Sequence, residues 1–306
     1  MASTTTPPAT LFTGDLRHLF VFAHQDDDLP YAGLLQRARE HAQVAWVTNG
    51  DGLAPAAGMG LEEYAELRQG EAVAAMRMLG YDRGQLHFLG HSELFFYPLF
   101  IDLKQARDDD SVPGPVRDRA IGAARAIQAA LRPLIEAADV VWTLAWQGGH
   151  PEHDLTHYFT IQTVREVEAA TGRTIPVYEL PAYELTVAVP LRFAPWHLGE
   201  RHRISLTPAE MKRKEAAFTA YRSQAELTTL FRRLINLYGL ISALRLRPFT
   251  FRSFARQEEF APVPGNRDYT KSTHGLEWFD YMFEDYEGEY VSFSGSVARY
   301  VKLLQR

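Results

Sequence analysis

The 306-residue sequence predicts an α/β fold, a Rossmann-like, mostly parallel sheet with helices on both faces, followed by a C-terminal helical and β extension. Two observations carry that expectation. From Arg17 onward, short apolar runs alternate with longer helical segments, the rhythm of successive strand–helix–strand units. The apolar runs are nearly continuous rather than alternating, as strands covered on both faces are, and they stop at polar or glycine-containing turns. In such sheets ligands bind at the carboxyl ends of the strands, so the strand-end loops are the place to search.

RHLFVFAH (17–24) is the first strand, ending at acidic residues, and YAGLLQRAREH (31–41) the first helix. AQVAWVTNGDG (42–52) is a second strand with a glycine turn. LEEYAELRQGEAVAAMRMLG (61–80) is a helix in which Leu67, Ala74, Met78 and Leu79 have roughly the spacing of a buried stripe. QLHFLGHSE, DVVWTLAWQGG and IPVYELPAYE read as further strands, and PVRDRAIGAARAIQAALRPLIEAA and HDLTHYFTIQTVREVEAATG as the helices between them. Thr207 with Glu210 is a capping-box pattern opening a helix read through to Asn236. The aromatic- and turn-rich stretch from Pro248 to Gly275 reads as a strand pair with loops. The expected organisation is a flexible lead-in over 1–16, an α/β domain over 17–190, and an extension over 191–306 that packs on that domain and shapes its pocket.

Composition narrows the function. Hydrophobic residues at 46% and charged residues at 23% are ordinary for a soluble globular chain. A formal charge of −6 argues against nonspecific attraction to nucleic acid or anionic membrane and favours a small-molecule partner. The absence of cysteine excludes disulfides, thiolate nucleophiles and Cys-rich zinc sites, so any metal is held by His, Asp and Glu. The first sixteen residues lack the pattern of a secretory signal and no stretch reaches eighteen consecutive apolar residues, so a cytoplasmic protein without a membrane span is expected. No coiled-coil pattern speaks to oligomeric state.

The chemistry concentrates at two strand ends. FAHQDDDLPYAG places His24 and Asp27 three residues apart, and HPEH supplies His150 and His153 with the same spacing. Two histidines and a carboxylate leave a coordination position open, the arrangement of a catalytic rather than a structural zinc. Asp26, between His24 and Asp27, is placed to face a nucleophilic water as general base. One HPEH histidine would ligate while the other stabilises an oxyanion and protonates a leaving amine.

AHQDDD, then a strand ending VTNGDG, then RQGEAVAAMRMLG, then HPEH, resembles the zinc-dependent de-N-acetylases of the PIG-L (LmbE-like) family, which remove acetyl groups from N-acetylglucosamine-type sugars in thiols, lipids and antibiotics. The resemblance extends to about Gln224 through Lys214, Ala217, Tyr221 and Ser223. It implies that His24, Asp27 and His153 bind Zn²⁺, or Fe²⁺ or another divalent ion, that Asp26 is the base, that His150 assists at the oxyanion or leaving group, and that Arg68 contacts substrate hydroxyls. The chain departs from the family pattern at Gln25, where a proline is usual, at Asp28, where a glutamate is usual, and at GHSE, where relatives often place an Asp and Gly.

Simpler roles compete for some residues. Asp28, before Leu29 and Pro30, suits a helix N-cap. Arg68 and Glu71 are spaced to pair with each other. Asp51 is a turn residue, His157 a packing or supporting group, and Phe95 to Tyr97 either core or pocket wall. Magnesium-dependent phosphoryl transfer would make little use of three histidines. A non-catalytic amino-sugar-binding module and an amidase for a thiol-sugar conjugate are the alternatives to an N-acetyl-sugar deacetylase.

Overall fold

A computed structural model of the chain describes residues 4–5, 9–183, 191–194, 197, 199–243, 250–282 and 284–306. In chain order the strands are β1 (Thr4–Thr5), β2 (His18–Phe22), β3 (Ala42–Thr48), β4 (Leu86–His91), β5 (Val140–Leu144), β6 (Val177–Leu180), β7 (Arg201–Ser205), β8 (Gln257–Pro262), β9 (Asp285–Tyr286) and β10 (Glu289–Tyr290). The helices are α1 (Ala32–Ala38), α2 (Ala54–Ala57), α3 (Leu61–Leu79), α4 (Glu93–Gln105), α5 (Gly114–Ala137), α6 (Pro151–Thr171), α7 (Pro208–Phe218), α8 (Ala225–Ala243), α9 (Phe251–Ala255) and α10 (Ala298–Leu304).

Eight strands form one sheet in the order β1-β7-β8-β6-β5-β2-β3-β4. From β6 to β4 every pairing is parallel, whereas β8 runs antiparallel to both β6 and β7. The fold is thus the expected mostly parallel α/β sheet. Alternation along β2 divides its two faces: Leu19 and Val21 meet α4, α5, α6 and α10, and Phe20 and Phe22 meet α1, α3 and α7. Both layers are apolar because both faces of the sheet are covered. From β2 the chain moves outward to β3 and β4, then returns to place β5 on the other side of β2. That reversal opens a crevice beyond the carboxyl ends of β2 and β5.

Several expectations need correction. On α3 the buried face is Tyr64, Arg68, Glu71, Ala72, Ala75, Met76 and Leu79, while Leu67 and Met78 are exposed, as is Ala74. Hydrophobic spacing misplaced the stripe because a charged pair occupies the inner face. The helix read from Thr207 to Asn236 breaks after Phe218 into a 3-10 turn at Arg222–Gln224 before α8 resumes. There the Ser223 backbone N–H and hydroxyl both donate to Glu71, and Gln224 donates to Tyr64, contacts a straight helix would not make. Among the described residues of 248–275 stand α9 and one strand, β8, in place of a strand pair. In the lead-in, Ala9–Phe12 form a 3-10 turn whose Leu11 is buried and whose Phe12 stacks on His18 and Trp142. The boundary drawn at 190 falls in 184–190, outside the described residues.

Candidate metal centre

β2 ends at Phe22, and the following turn delivers His24, Asp26 and Asp27 into the crevice. Across it, His150 is the N-cap of α6 and His153 lies in that helix's first turn. The approach to His150 is sterically constrained. Gly148 has φ +74°, and a Cβ on Gly149 would lie 2.3 Å from the carbonyl oxygen of Tyr183, closer than real atoms approach. Asp154 holds this loop, accepting from the amides of Gln147 and Gly148 at 2.9 Å each and from the Tyr281 hydroxyl at 2.6 Å.

Three donor groups converge. His24 Nδ1 lies 3.2 Å from His153 Nε2 and 3.3 Å from Asp27 Oδ2, and His153 Nε2 lies 3.1 Å from Asp27 Oδ1. The 3.2 Å between the two imidazole nitrogens is the edge of a tetrahedron whose centre lies about 2.0 Å from each corner, the Zn–N bond length, and Asp27 offers a different oxygen to each ring. The donor set therefore fits a divalent ion. A ring nitrogen of His150 also comes within 4.8 Å of those of His24 and His153, so these three histidines form a second set able to hold an ion, with His24, Glu93 and Glu152 a third.

The other nitrogen of His24 is also engaged. Nε2 stands 2.7 Å from Glu152 Oε2, which fixes the ring with Nδ1 facing the other donors. Glu93 Oε1 is 4.0 Å from the same nitrogen. Burial resists a charged His24, yet Glu93, Asp27 and Glu152 together hold its imidazole well above the usual histidine range. Burial pushes Glu152 up to about 8 and raises Glu93. His153 and His24 hold Asp27 well below the carboxylate range against its burial. Burial, reinforced by His24 and His153, drives His150 well down, so it is a neutral imidazole, and its buried Nδ1 has no hydrogen-bond partner among the described residues. The crowding of buried carboxylates around these imidazoles makes a pocket that could hold a cation.

Asp26 is held at φ +117°, uncommon for a residue with a side chain, and a quarter of its side chain still faces the cavity. Burial pushes its carboxyl up to about 7, against the pull of Arg68, whose Nη2 lies 3.1 Å from Oδ1. Arg68 also donates to the Gln25 carbonyl and to Ser223 Oγ, and sits 3.8 Å from Glu71, so pairing with Glu71 is one of several contacts. Asp28 occupies the N-cap position of the 3-10 turn Leu29–Tyr31, but with helical φ and ψ its side chain makes no capping bond. Its Oδ1 instead accepts from the Asp26 amide, Trp46 Nε1 and the Tyr221 hydroxyl, and so braces the turn that carries His24, Asp26 and Asp27. Asp51 accepts from the Glu93 amide at the start of α4. His157 is a buried supporting group, bonded to Leu144 O and the Tyr269 hydroxyl.

The site opens into a cavity of about 570 Å³, whose walls include Arg68, Tyr97, Lys214 and Glu284 as well as the apolar Phe218, Leu227 and Phe231. Of Phe95 to Tyr97, Phe96 is core and Tyr97 is cavity wall. Sequence reasoning missed Glu152, Glu93 and Glu284. Glu152 stood inside HPEH and was discoverable by asking what bonds the second nitrogen of His24. Glu93 closes GHSE, a strand-end stretch where it could have been found, whereas Glu284 comes from the C-terminal segment and no local pattern marks it.

A protein-family profile matches residues 19–164, the stretch from β2 through most of α6 that carries every donor described above; it is PIG-L, GlcNAc-PI de-N-acetylase. Residues 19–164, just under half of the chain, match the PIG-L family domain. The N,N′-diacetylchitobiose deacetylase of Pyrococcus horikoshii is similar to it with a TM-score of 0.50 at 16% identity, covering 82% of this chain and 85% of that one. A deacetylase triple mutant from the teicoplanin biosynthetic pathway is similar with a TM-score of 0.53 at 19% identity, covering 82% of this chain and 100% of that one. At these identities the likeness is one of fold. No curated protein sequence matches the chain significantly.

Proposed function

We propose that this protein is a zinc-dependent deacetylase that hydrolyses the acetamide of an N-acetylglucosamine-type sugar or conjugate, releasing acetate and a free amine. The observation that carries the reading is the convergence of His24 Nδ1, Asp27 and His153 Nε2 at 3.1–3.3 Å beside Asp26 in one cavity. The family of the domain and the activities named for the two solved deacetylases support the same chemistry.

His24, Asp27 and His153 would hold the ion, Zn²⁺ by its preference for this N/O set, with Fe²⁺ or another divalent metal also compatible. When bound, such an ion lowers the pKa of a water to about 7 and polarises the acetamide carbonyl. Asp26, poised near neutrality and open to the cavity, takes the proton of the attacking water. Water oxygen bonds to the carbonyl carbon, and neutral His150 donates a hydrogen bond to the oxygen on which charge develops. The C–N bond then breaks, the nitrogen receives the proton that the water lost, and acetate and amine depart. Arg68 positions Asp26 and, from the cavity wall, contacts sugar hydroxyls.

Residues 191–306 shape the pocket as an extension of the 17–190 domain, a role supported by Lys214, Phe218, Leu227, Phe231 and Glu284 in the cavity wall. The substrate is a small N-acetylated amino sugar, free or conjugated, and the protein works in the cytoplasm. Among the described residues no helix is long and apolar enough to cross a membrane. Purified protein loaded with Zn²⁺ and offered a panel of N-acetylglucosamine conjugates, scored by acetate and amine release, tests the reading. Asp26→Asn should lower kcat by about 10²–10⁴-fold with metal content unchanged. Tight sugar binding by wild-type protein without acetate release would establish a binding module instead.

A further inference from the structure

The C-terminal segment grips the turn that carries His150. Gly148 has both of its backbone polar groups bonded: its N–H donates to Asp154 Oδ2 at 2.9 Å, and its carbonyl accepts from the Tyr281 amide at 2.8 Å. The Tyr281 hydroxyl donates at 2.6 Å to the same Asp154 oxygen, which closes a ring of three hydrogen bonds through Gly148, Asp154 and Tyr281. Asp280 covers Gly148, where a Cβ would overlap its carboxylate, and lies 2.8 Å from His274 Nε2. Three residues beyond Tyr281, Glu284 stands in the cavity wall, with Oε1 3.7 Å from His150 Nε2 and Oε2 accepting from the Tyr97 hydroxyl.

Tyr281 is held at φ +56°, in the left-handed region. A bulky residue there costs free energy, and such strain persists only where the surroundings over-determine it, most often at functional sites. In that conformation its amide and its hydroxyl both meet the β5–α6 turn, while its ring is fully buried and stacked on Phe293. Packing alone requires no such strain: Tyr300, equally buried, donates its hydroxyl to the Ala120 carbonyl at 2.6 Å from within helix α10. Tyr281 also lies outside the 19–164 stretch that matches the family domain, so this grip on the His150 turn comes from beyond that match.

We propose that Tyr281 is a positioning residue for His150, fixing the turn from Gly148 to Asp154 so that the imidazole is held where the carbonyl oxygen of the substrate develops charge. Tyr281 is not among the residues that line the cavity, so it acts through the turn. Without its hydroxyl, Asp154 keeps its two amide donors and the turn keeps its own bonds, but its anchor to the C-terminal segment is reduced to the Tyr281 amide. A displacement of about 1 Å at a group that meets the reacting atoms can lower a rate by about 10²-fold. The proposal rests on the deacetylase reading for what His150 does, and on the hydrogen-bond ring alone for where His150 is held.

Tyr281→Phe removes the hydroxyl and keeps the ring and the amide. In the full Zn²⁺-loaded chain, assayed with the N-acetylglucosamine conjugate that wild type turns over fastest, kcat should fall by about 10- to 100-fold while KM stays within about twofold. Tyr300→Phe, which also removes one buried hydroxyl bond, should lower the melting temperature by a comparable amount and leave kcat unchanged. A second readout needs neither metal nor turnover: in protein labelled with ¹⁵N-histidine, the His150 ring signals, assigned by their loss in His150→Gln, should move in Tyr281→Phe and stay in place in Tyr300→Phe. Tyr281→Phe with wild-type kcat, with a kcat loss that Tyr300→Phe shares, or with unmoved His150 signals overturns the proposal. Should wild type cleave no conjugate, the deacetylase reading fails, and the histidine spectra alone then decide whether Tyr281 positions His150.

Discussion

His24 is gripped from both sides: its Nε2 lies 2.7 Å from Glu152 Oε2 while its Nδ1 faces His153 Nε2 at 3.2 Å. A buried carboxylate behind a ligating histidine fixes the tautomer and the ring plane, and removing such a partner typically weakens metal affinity by about 10–100-fold. Glu152→Ala should fall in that range and Glu152→Gln, which keeps an acceptor, should be milder. Competitive Zn²⁺ titration against a chromophoric chelator measures both; affinity equal to wild type in the alanine variant would remove Glu152 from this role.

Gly149 sets the approach to His150. Because its missing side chain is where Tyr183 carries its backbone carbonyl, Gly149→Ala forces the β5–α6 loop away from the Tyr183 segment. Overpacking of this kind costs about 1–3 kcal/mol. The melting temperature should drop, and kcat should fall further than stability alone explains, since His150 moves with the loop. A variant with wild-type melting and turnover would show that the close approach is not maintained in solution.

These two residues also show how the sequence was legible and where it was not. The strands were readable because a sheet covered on both faces writes unbroken apolar runs, and β2, β3 and β5 all lie within such runs. His24, Asp27, His150 and His153 were readable because two short motifs placed them at strand ends, where an α/β sheet gathers its ligands. The inner face of α3 was hidden, because Arg68 and Glu71 are buried by pairing with Asp26 and Ser223, residues that only the fold brings near. Helix α4 escaped notice since Pro98 and an aromatic run masked its period. Glu284 reaches the site from the far end of the chain, and a single sequence carries no signal for such a contact.

Two histidines far from catalysis predict an acid limb in stability. Burial depresses His18 to about 4, where Trp142 Nε1 donates to its Nδ1, and depresses His157 to about 4. Both are neutral when folded and titrate near 6.5 when unfolded, so between those values the unfolded chain binds more protons. Their contribution is complete above pH 6.5 and is lost as pH falls toward 4, up to about 3 kcal/mol each. Urea unfolding at stepped pH should show this decline, and His18→Asn, which still accepts from Trp142, should reduce its slope. A stability flat between pH 6.5 and 4 contradicts the burial of both rings as neutral groups.

The buried pair Lys214–Glu258, 2.7 Å apart, ties the helix after β7 to the start of α1, where Glu258 accepts from the amides of Gly33 and Leu34. Lys214→Met leaves that carboxylate without its counter-charge and should destabilise the protein by about 3–5 kcal/mol. Thermal or chemical denaturation reads the effect directly, and a loss below 1 kcal/mol would mean that the amide donors alone satisfy Glu258.

The most direct test of the metal centre is anomalous diffraction from crystals of the full chain grown with Zn²⁺. One ion bonded to His24 Nδ1, Asp27 and His153 Nε2 at about 2.0–2.2 Å, with Asp26 and His150 beside it and unbonded, is the predicted result. An ion seated instead between His24 Nε2, Glu93 and Glu152, or those side chains failing to converge on any ion, would contradict the account.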